Sequence, residues 1–578
     1  MDKQKKPVCL CIPISRRFSL YGNEYDRFFH CPQYRVRLLF FLEPKDRITA
    51  NYTQSNRGIG IFVIVSHSSD VKDIVEDSSS NYLIARLLQS GLLHDIINSV
   101  ITKLAMTEFS MEVAIMFIGR KKELTKLNEL YASDQFEFAV IYGRRRVGKS
   151  TLIQQFCDKK NFIYFVATEG GKSDNLEALS KMVTQHLLPE IQIPAFSSYE
   201  DLFVFMENYL QERLILVIDE FPYLAQSDPS LSSVIQKHID LIWKSTKLML
   251  ILCGSSMSFM EHQVLGYKSP LYGRRSAQFK IEPFYYPELK EFHWDYSPQD
   301  MALLYAITGG VAEYLSFIDP KKSVKENIMA LYLQPNGRMY EEPSNLLKQE
   351  LRDPKMYHST LNSIVSGNAT LNDIATKAGE LPTSASFHLK SLIELGIIKK
   401  ETPIGEKETT KKSLYRIMDS SFIFWYRFIY GNQSMISMNR AEFIYEKLIE
   451  PNLSDYMGEV FESICQSYMM SSSVLENAPF FYTTIGRWWG SHPSLKRQEE
   501  IDVCAMSKQD ILLGECKWTN KLIDKKVLND LILQSQLFKQ KQRHYYLFSK
   551  NGFTDAVLEE AQQNTNIHLI TIDDIYQG

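Results

Sequence analysis

Nowhere in the 578 residues does an apolar run approach the roughly 18 needed to span a bilayer; candidates such as Leu38 to Leu42 have the length of a core strand. No membrane segment is expected. Charge of one sign is also lacking, with 65 Lys and Arg against 68 Asp and Glu, so a nucleic-acid partner would need a local basic surface. The cysteines (Cys9, Cys11, Cys31, Cys157, Cys253, Cys465, Cys504, Cys516) lack the paired spacing of a zinc site and suit a reducing cytoplasm. Arg16 and Arg17 interrupt the short apolar stretch after Lys3 to Lys6, which argues against a secretion signal. There is no internal repeat and no low-complexity segment. What is present, 44% hydrophobic and 23% charged residues, is ordinary for a soluble protein, and the length predicts several cores.

Residues 1–115 form a leader with apolar strands such as Gly60 to Val65, a helical stretch near Tyr82 to Leu104, and no constellation of reactive groups. It is either an accessory region or an upstream extension from a misassigned start at Met116. From 116 to 280 strands and helices alternate: Phe138 to Tyr142, Phe162 to Ala167, Leu214 to Ile218 and Leu248 to Cys253 read as strands, and Ser150 to Cys157 opens a helix. That alternation predicts an α/β fold with a parallel sheet. A helical lid is expected over 281–345, a compact helical block with a charged hairpin over 346–430, and a last α/β block over 440–578.

Gly143, Arg144, Arg145, Arg146, Val147, Gly148, Lys149 and Ser150, followed by Thr151, match G-x-x-x-x-G-K-[ST] between an apolar strand and a helix. Glycines let backbone N–H groups curl around phosphates, Lys149 reaches the β and γ phosphates, and the Ser150 hydroxyl can ligate Mg²⁺. About seventy residues on, Asp219 and Glu220 end an apolar strand. Asp219 is expected to support Mg²⁺ and Glu220 to orient or deprotonate water, as hydrolysis requires. Ser255, after the fourth strand, is a candidate sensor of the γ-phosphate. Arg274 and Arg275 offer guanidiniums to phosphoryl-transfer charge, in cis or from a neighbouring subunit of a homo-oligomer.

Phe117-Ile118-Gly119-Arg120 with Glu123 and Leu124, Ile218 to Phe221 with Tyr223 and Leu224, Gly254-Ser255-Ser256, Ser269 to Arg275, and Thr308 to Val311 with Tyr314 and Leu315 together resemble the archaeal-type ATPases, P-loop NTPases of the AAA+/STAND-like group. The resemblance spans 116 to 578; Ala312 stands where that family usually has proline. It implies that Phe117 to Arg120 lie near the adenine.

Tyr357 to Val365, Thr370 to Ala378 and Ser384 to Leu395 read as three short helices before a strand and a charged hairpin, a spacing like that of a winged helix-turn-helix. Lys399, Lys400, Lys407, Lys411, Lys412 and Arg416 outnumber Glu401, Glu406 and Glu408 there. DNA contacts are expected from Ser384, Ser386, His388 and Lys390 on the third helix and from Lys411 and Lys412 on the wing, although such modules also dock proteins. The aromatic run from Phe422 to Phe428 reads as packing between domains.

In the last block, a turn centred between Lys508 and Gln509 would put Asp502 opposite Glu515, with Lys517 on the same face. Two carboxylates about 5 Å apart call for a divalent cation, and a nearby lysine could orient water. Glu462 adds a third carboxylate. These residues resemble the PD-(D/E)XK restriction-endonuclease-like domain that the same ATPase family carries at its C-terminus. A solvated hairpin edge and a degenerate fold kept for DNA binding remain alternatives. The expectation is thus a cytoplasmic Mg²⁺-dependent ATPase whose nucleotide state governs DNA binding and cleavage. The rival is an ATP-driven switch whose C-terminal domain docks DNA or protein without catalysis.

Overall fold

The computed structural model describes residues 117–578 except 192, 352, 408, 409, 411 and 493–495, and before them the backbone of short strands. The chain forms two units, Met1–Phe117 and Ile118–Gly578. In the first, Gly58–Val65 pairs with Arg37–Phe41 and Ile48–Ser55. The helix expected near Tyr82 to Leu104 lies outside the described residues.

The second unit opens on a five-stranded sheet: β1 (Glu137–Tyr142), β2 (Phe162–Val166), β3 (Leu214–Asp219), β4 (Leu248–Gly254) and β5 (Ala277–Lys280). All neighbours are parallel, in the order β5-β1-β4-β3-β2. β3 and β4 bury every residue, because a central parallel strand is covered on both faces, and this is why both read as unbroken apolar runs. The edge strand β5 was not anticipated; it has four residues and buries only Phe279. Helix α1 (Lys149–Cys157) leaves the carboxyl end of β1, and α2 (Phe221–Ser227) and α3 (Leu231–Leu241) follow β3.

Past the sheet come α4 (Pro298–Thr308) and α5 (Glu342–Glu350). The three helices expected next are α6 (Pro354–Val365), α7 (Leu371–Ala378) and α8 (Pro382–Glu394), followed by an antiparallel ribbon, β6 (Ile398–Glu401) with β7 (Leu414–Ile417). The Thr370 side chain caps α7 and Gly379 ends it at φ 72°, each at a terminus where backbone groups lack helical partners.

Helix α9 (Ser420–Phe428) carries the aromatic run, and Phe422, Phe424, Trp425 and Phe428 are at most 1% exposed. They lie in one apolar cluster that runs from Phe284 to Ile575. Trp425 Nε1 donates to Tyr340 O at 2.7 Å, which satisfies the one polar atom of that buried ring. Truncating any of these rings would cost about 3–5 kcal/mol.

Helix α10 (Leu453–Met469) packs on a second five-stranded sheet, β8 (Gly486–His492), β9 (Arg497–Met506), β10 (Asp510–Lys517), β11 (Gln542–Ser549) and β12 (Ile567–Thr571). β8, β9 and β10 form an antiparallel meander; β11 and β12 are parallel to β10, reached through α11 (Lys525–Gln534). Val503 lies opposite Gly514 and Met506 opposite Ile511. That register places Asp502 across from Glu515, as the turn position requires. Among the described residues no helix is long and apolar enough to cross a membrane.

Candidate functional site

The glycine-rich loop joins β1 to α1 at the carboxyl end of the sheet. Gly148 caps α1 in the left-handed region at φ 92°, and a Cβ on Gly143 would stand 2.2 Å from Ile281 O, so both positions need glycine. Lys149 is buried over the loop, its Nζ donating to Gly143 O at 2.9 Å and Arg144 O at 3.0 Å. Burial pushes its amine below the ordinary lysine value, against the opposing pull of Glu220 and Asp219. Arg120 Nη2 donates to Val147 O at 3.3 Å, which ties the segment expected near the adenine to the loop.

Asp219 closes β3 beside the loop. Its Oδ2 accepts from Ser150 Oγ at 2.8 Å and from Tyr164 Oη at 2.6 Å, while Oδ1 accepts from Glu220 N at 2.9 Å. Burial, with Asp219 alongside, raises the Tyr164 hydroxyl's pKa, so tyrosine is the proton donor in that pair. Glu220 turns the chain into α2 at φ 52°, a left-handed conformation that costs a non-glycine residue about 1–2 kcal/mol. Its carboxylate accepts from Ser255 Oγ at 2.9 Å and from Ser255 N at 3.2 Å. Ser255, expected to sense a phosphate, here fixes Glu220. Ser150 and Asp219 together form a hydroxyl–carboxylate pair suited to a hard divalent cation.

Each of the loop's three arginines meets an acid from the helical region. Arg144 Nη1 lies 2.5 Å from Asp419 Oδ2, Arg145 Nε pairs with Glu350, and Arg146 Nη1 pairs with Glu342. Arg145 Nη2 also donates to Tyr223 Oη at 3.0 Å. Arg144 lies over the Phe422 ring at 5.4 Å, and burial, which alone would lower its pKa, is outweighed by Asp419. Arg144, Arg145, Ser255, Glu350, Glu394 and Leu395 line one cleft, so the end of α8 reaches the phosphate-binding loop. Val147 is buried within the loop and Thr151 is exposed one residue past Ser150.

Arg274 does not reach the cleft. Its Nε donates to both Asp240 oxygens at 3.1 Å, and its Nη2 to Oδ2 at 2.6 Å. These bonds hold the Asp240 carboxyl at about 2. Arg274, expected to serve the site in cis or from a neighbouring subunit, is here engaged with the Asp240 carboxylate. Arg275 lines a separate surface recess with Tyr272 and Gln278.

On α8, Ser384 Oγ donates to Glu380 Oε2 at 2.8 Å and His388 Nδ1 lies 2.7 Å from the same oxygen, whereas Ser386 and Lys390 are exposed. Ser384 and His388 are therefore engaged with Glu380. The ribbon is less basic than its composition suggests, since Lys399 pairs with Glu401, Lys412 with Glu406 at 2.6 Å, and Arg416 with Glu462 at 3.4 Å. It also leans on the C-terminal sheet: Ile404 N donates to Arg487 O at 3.0 Å and Trp489 Nε1 to Lys412 O at 3.1 Å. Lys411 lies outside the described residues.

In the hairpin, Asp502 Oδ2 accepts from Cys516 N at 2.9 Å, and Lys517 Nζ pairs with Glu515. Burial and then Glu515 raise the Asp502 carboxyl to about 6; burial and then Asp502 raise that of Glu462 to about 7. Glu462 Oε2 stands 3.4 Å from both Arg416 Nη1 and Arg487 Nε. Among the described residues no group of three or more His, Cys, Asp or Glu side chains is arranged to hold a metal ion. Of the expected carboxylates Glu462, Asp502 and Glu515, Glu462 lies against two guanidiniums, while Asp502 and Glu515 face each other.

Sequence reasoning missed Tyr164, Glu342, Glu350, Asp419 and Arg487. Asp419 alone left a local trace, as the N-cap of α9, where its carboxylate accepts from Ser421 N at 2.8 Å.

A parallel sheet with a glycine-rich loop after β1 and an acid pair ending β3 defines a P-loop ATPase. Residues 117–318 match a family described as an ATPase domain predominantly from Archaea, and residues 425–529 match one described as archaea bacterial proteins of unknown function. An uncharacterized protein of Methanocaldococcus jannaschii is 33% identical over 467 residues, covering 79% of this chain and 100% of that one. An uncharacterized ATP-binding protein of the same organism is 41% identical over 46 residues, 8% of this chain and 78% of its own. Two solved structures are similar at low scores. The Walker-type ATPase of Pyrococcus abyssi has a TM-score of 0.41 at 19% identity, covering 54% of this chain and 96% of that one. The ORC2 protein of Aeropyrum pernix has a TM-score of 0.38 at 13% identity, covering 59% and 97%. The chain belongs to the archaeal-type ATPase family.

Proposed function

We propose that the chain hydrolyses ATP with Mg²⁺ and that its nucleotide state governs DNA handling by its C-terminal half. The observation that carries the hydrolysis reading is the 2.8 Å hydrogen bond from Ser150 to Asp219, with Glu220 the next residue. Ser150 and Asp219 would hold Mg²⁺, which when bound offsets phosphate charge. Lys149 and the loop N–H groups hold the β and γ phosphates. Glu220 orients a water and takes its proton as the water oxygen bonds the γ-phosphorus and the bridging P–O bond to ADP breaks. Arg275, on a surface turn, would act on a neighbouring subunit. ATP turnover should fall to background in Lys149→Ala and drop about 100-fold in Glu220→Gln; undiminished turnover in both would overturn the reading.

For DNA, α6 to α8 with the β6–β7 ribbon would serve as a winged helix presenting Ser386, Lys390 and, on release from Glu406, Lys412. One observation favours a phosphodiester-cleaving site as well: Asp502 and Glu515 face each other beside Lys517. The arginines on Glu462 favour the rival, a domain that docks DNA or protein without cutting. Incubating plasmid and single-stranded DNA with the chain, in Mg²⁺ or Mn²⁺ and with or without ATP, separates the two. Cleavage lost in Asp502→Ala supports the nuclease, and no cleavage by a wild type that still turns over ATP supports docking.

A further inference from the structure

The three arginine–acid pairs on the phosphate-binding loop differ in how deeply they lie. Side-chain exposures are 9% and 2% for Arg144 and Asp419, and 18% and 8% for Arg146 and Glu342. For Arg145 and Glu350 they are 27% and 15%. Removing one partner of a buried pair strands the other charge, so the first two pairs act as fixed struts. The third is the most accessible to exchange, and on its other side Arg145 is held by a neutral hydroxyl, that of Tyr223.

Arg145 also faces the right place. It lines the cleft with Ser255, at the carboxyl end of β4, where Ser255 fixes the carboxylate of Glu220. Two acids, Glu350 and Glu394, line that cleft too. A nucleotide triphosphate placed on the loop brings negative charge toward both. A guanidinium forks equally well onto a carboxylate or a phosphate.

We propose that Arg145 reads the terminal phosphate and that Glu350 is its resident competitor, a carboxylate occupying the position on Arg145 that the γ-phosphate takes over. ATP then loses part of its binding energy in breaking the Arg145–Glu350 pair and gains Arg145 in return. ADP, which has no terminal phosphate, leaves the pair intact. Arg145 on this account adds to the discrimination of ATP from ADP that Lys149 provides, and Glu350 sets by how much. A ligand shifts an equilibrium only by its differential affinity, and this exchange supplies one. The inference rests on ATP binding at the loop.

The test measures equilibrium binding of ATP and of ADP to the full chain. Glu350→Gln removes the competing charge while keeping the side chain's shape, and it should tighten ATP about tenfold while changing ADP less than about twofold. Arg145→Ala should weaken ATP more than ADP and so narrow the gap between them, Lys149 keeping its own share of the γ-phosphate, and on the Arg145→Ala background Glu350→Gln should add much less than about tenfold to ATP affinity. Arg145→Lys, which keeps the charge without the fork, should retain part of the discrimination and guards against a misfolded alanine variant. ATP affinity unchanged in Glu350→Gln, or ATP and ADP tightened equally, would overturn the proposal. A wild type that binds neither nucleotide would instead overturn ATP binding itself, a distinguishable result.

Discussion

Two strand-end carboxylates in this chain meet opposite surroundings. At the end of β3, Asp219 is met by hydroxyls and a backbone N–H: Ser150, Tyr164 and the Glu220 amide. At the C-terminal hairpin, Asp502 takes one backbone N–H and faces Glu515, while Glu462 nearby lies between Arg416 and Arg487. Neutral donors leave a carboxylate its full charge for a cation brought with a ligand. At the hairpin, burial and the neighbouring acids outweigh the guanidiniums, so Glu462 and Asp502 hold their protons longer and leave less charge for a metal to bind. On the proposed reading, the first site keeps a carboxylate free of cations for an incoming phosphate and its metal. The second is balanced largely from its own side chains.

That contrast is broken most severely at the loop. Lys149→Ala should weaken ATP binding at least about 100-fold, as measured by titration, because the loop arginines are paired with acids while Lys149 bonds only the loop's carbonyls. It should leave DNA retention by the C-terminal half measurable. Next, Glu220→Gln should separate binding from chemistry: turnover falls about 100-fold while ATP affinity changes less than about threefold. If affinity and turnover fell together, Glu220 would be holding the loop rather than the water.

How far the sequence foretold these sites follows from how local each signal is. The loop from Gly143 to Ser150 is contiguous, and its neighbours in β1 and α1 are fixed by apolar patterning. The Asp502–Glu515 pairing was legible for a similar reason, since a tight turn between Ser507 and Asp510 fixes the register of everything beyond it. Arg145 and Glu350 are 205 residues apart, and no periodicity joins them. The same holds for Arg416 and Glu462, whereas Lys399–Glu401 and Lys412–Glu406 lie within the ribbon, where counting charges does not say which side chains meet. β5 escaped because four residues with one buried side chain give too little alternation to recognise.

The hairpin's own acids give a sharper test through pH. Asp502 and Glu462 are raised to about 6 and about 7 in the folded chain, above their ordinary values. The folded state then holds more protons than the unfolded one between roughly pH 4 and 7, so stability is fullest below that window and declines as pH rises through it. Each unit of elevation corresponds to about 1.4 kcal/mol. Thermal melts of wild type should therefore lose several degrees between pH 5 and pH 8, and Glu462→Gln should flatten that slope. An unchanged slope in the variant would mean that the titrating charge lies elsewhere.

The smallest effect is expected at Arg274. Arg274 is committed to Asp240 on a partly exposed surface, where such pairs contribute about 0.2–1 kcal/mol. Arg274→Ala should lower the melting temperature slightly and leave ATP turnover within about twofold of wild type. Arg275→Ala is the informative neighbour, because an arginine serving another subunit would lower turnover only where chains associate. Turnover should then fall more at high protein concentration than at low, and mixing Arg275→Ala with Lys149→Ala chains should restore part of it, since each contributes the half the other lacks. Failure of mixed chains to recover turnover would leave the loop, Asp219 and Glu220 sufficient for hydrolysis within one chain.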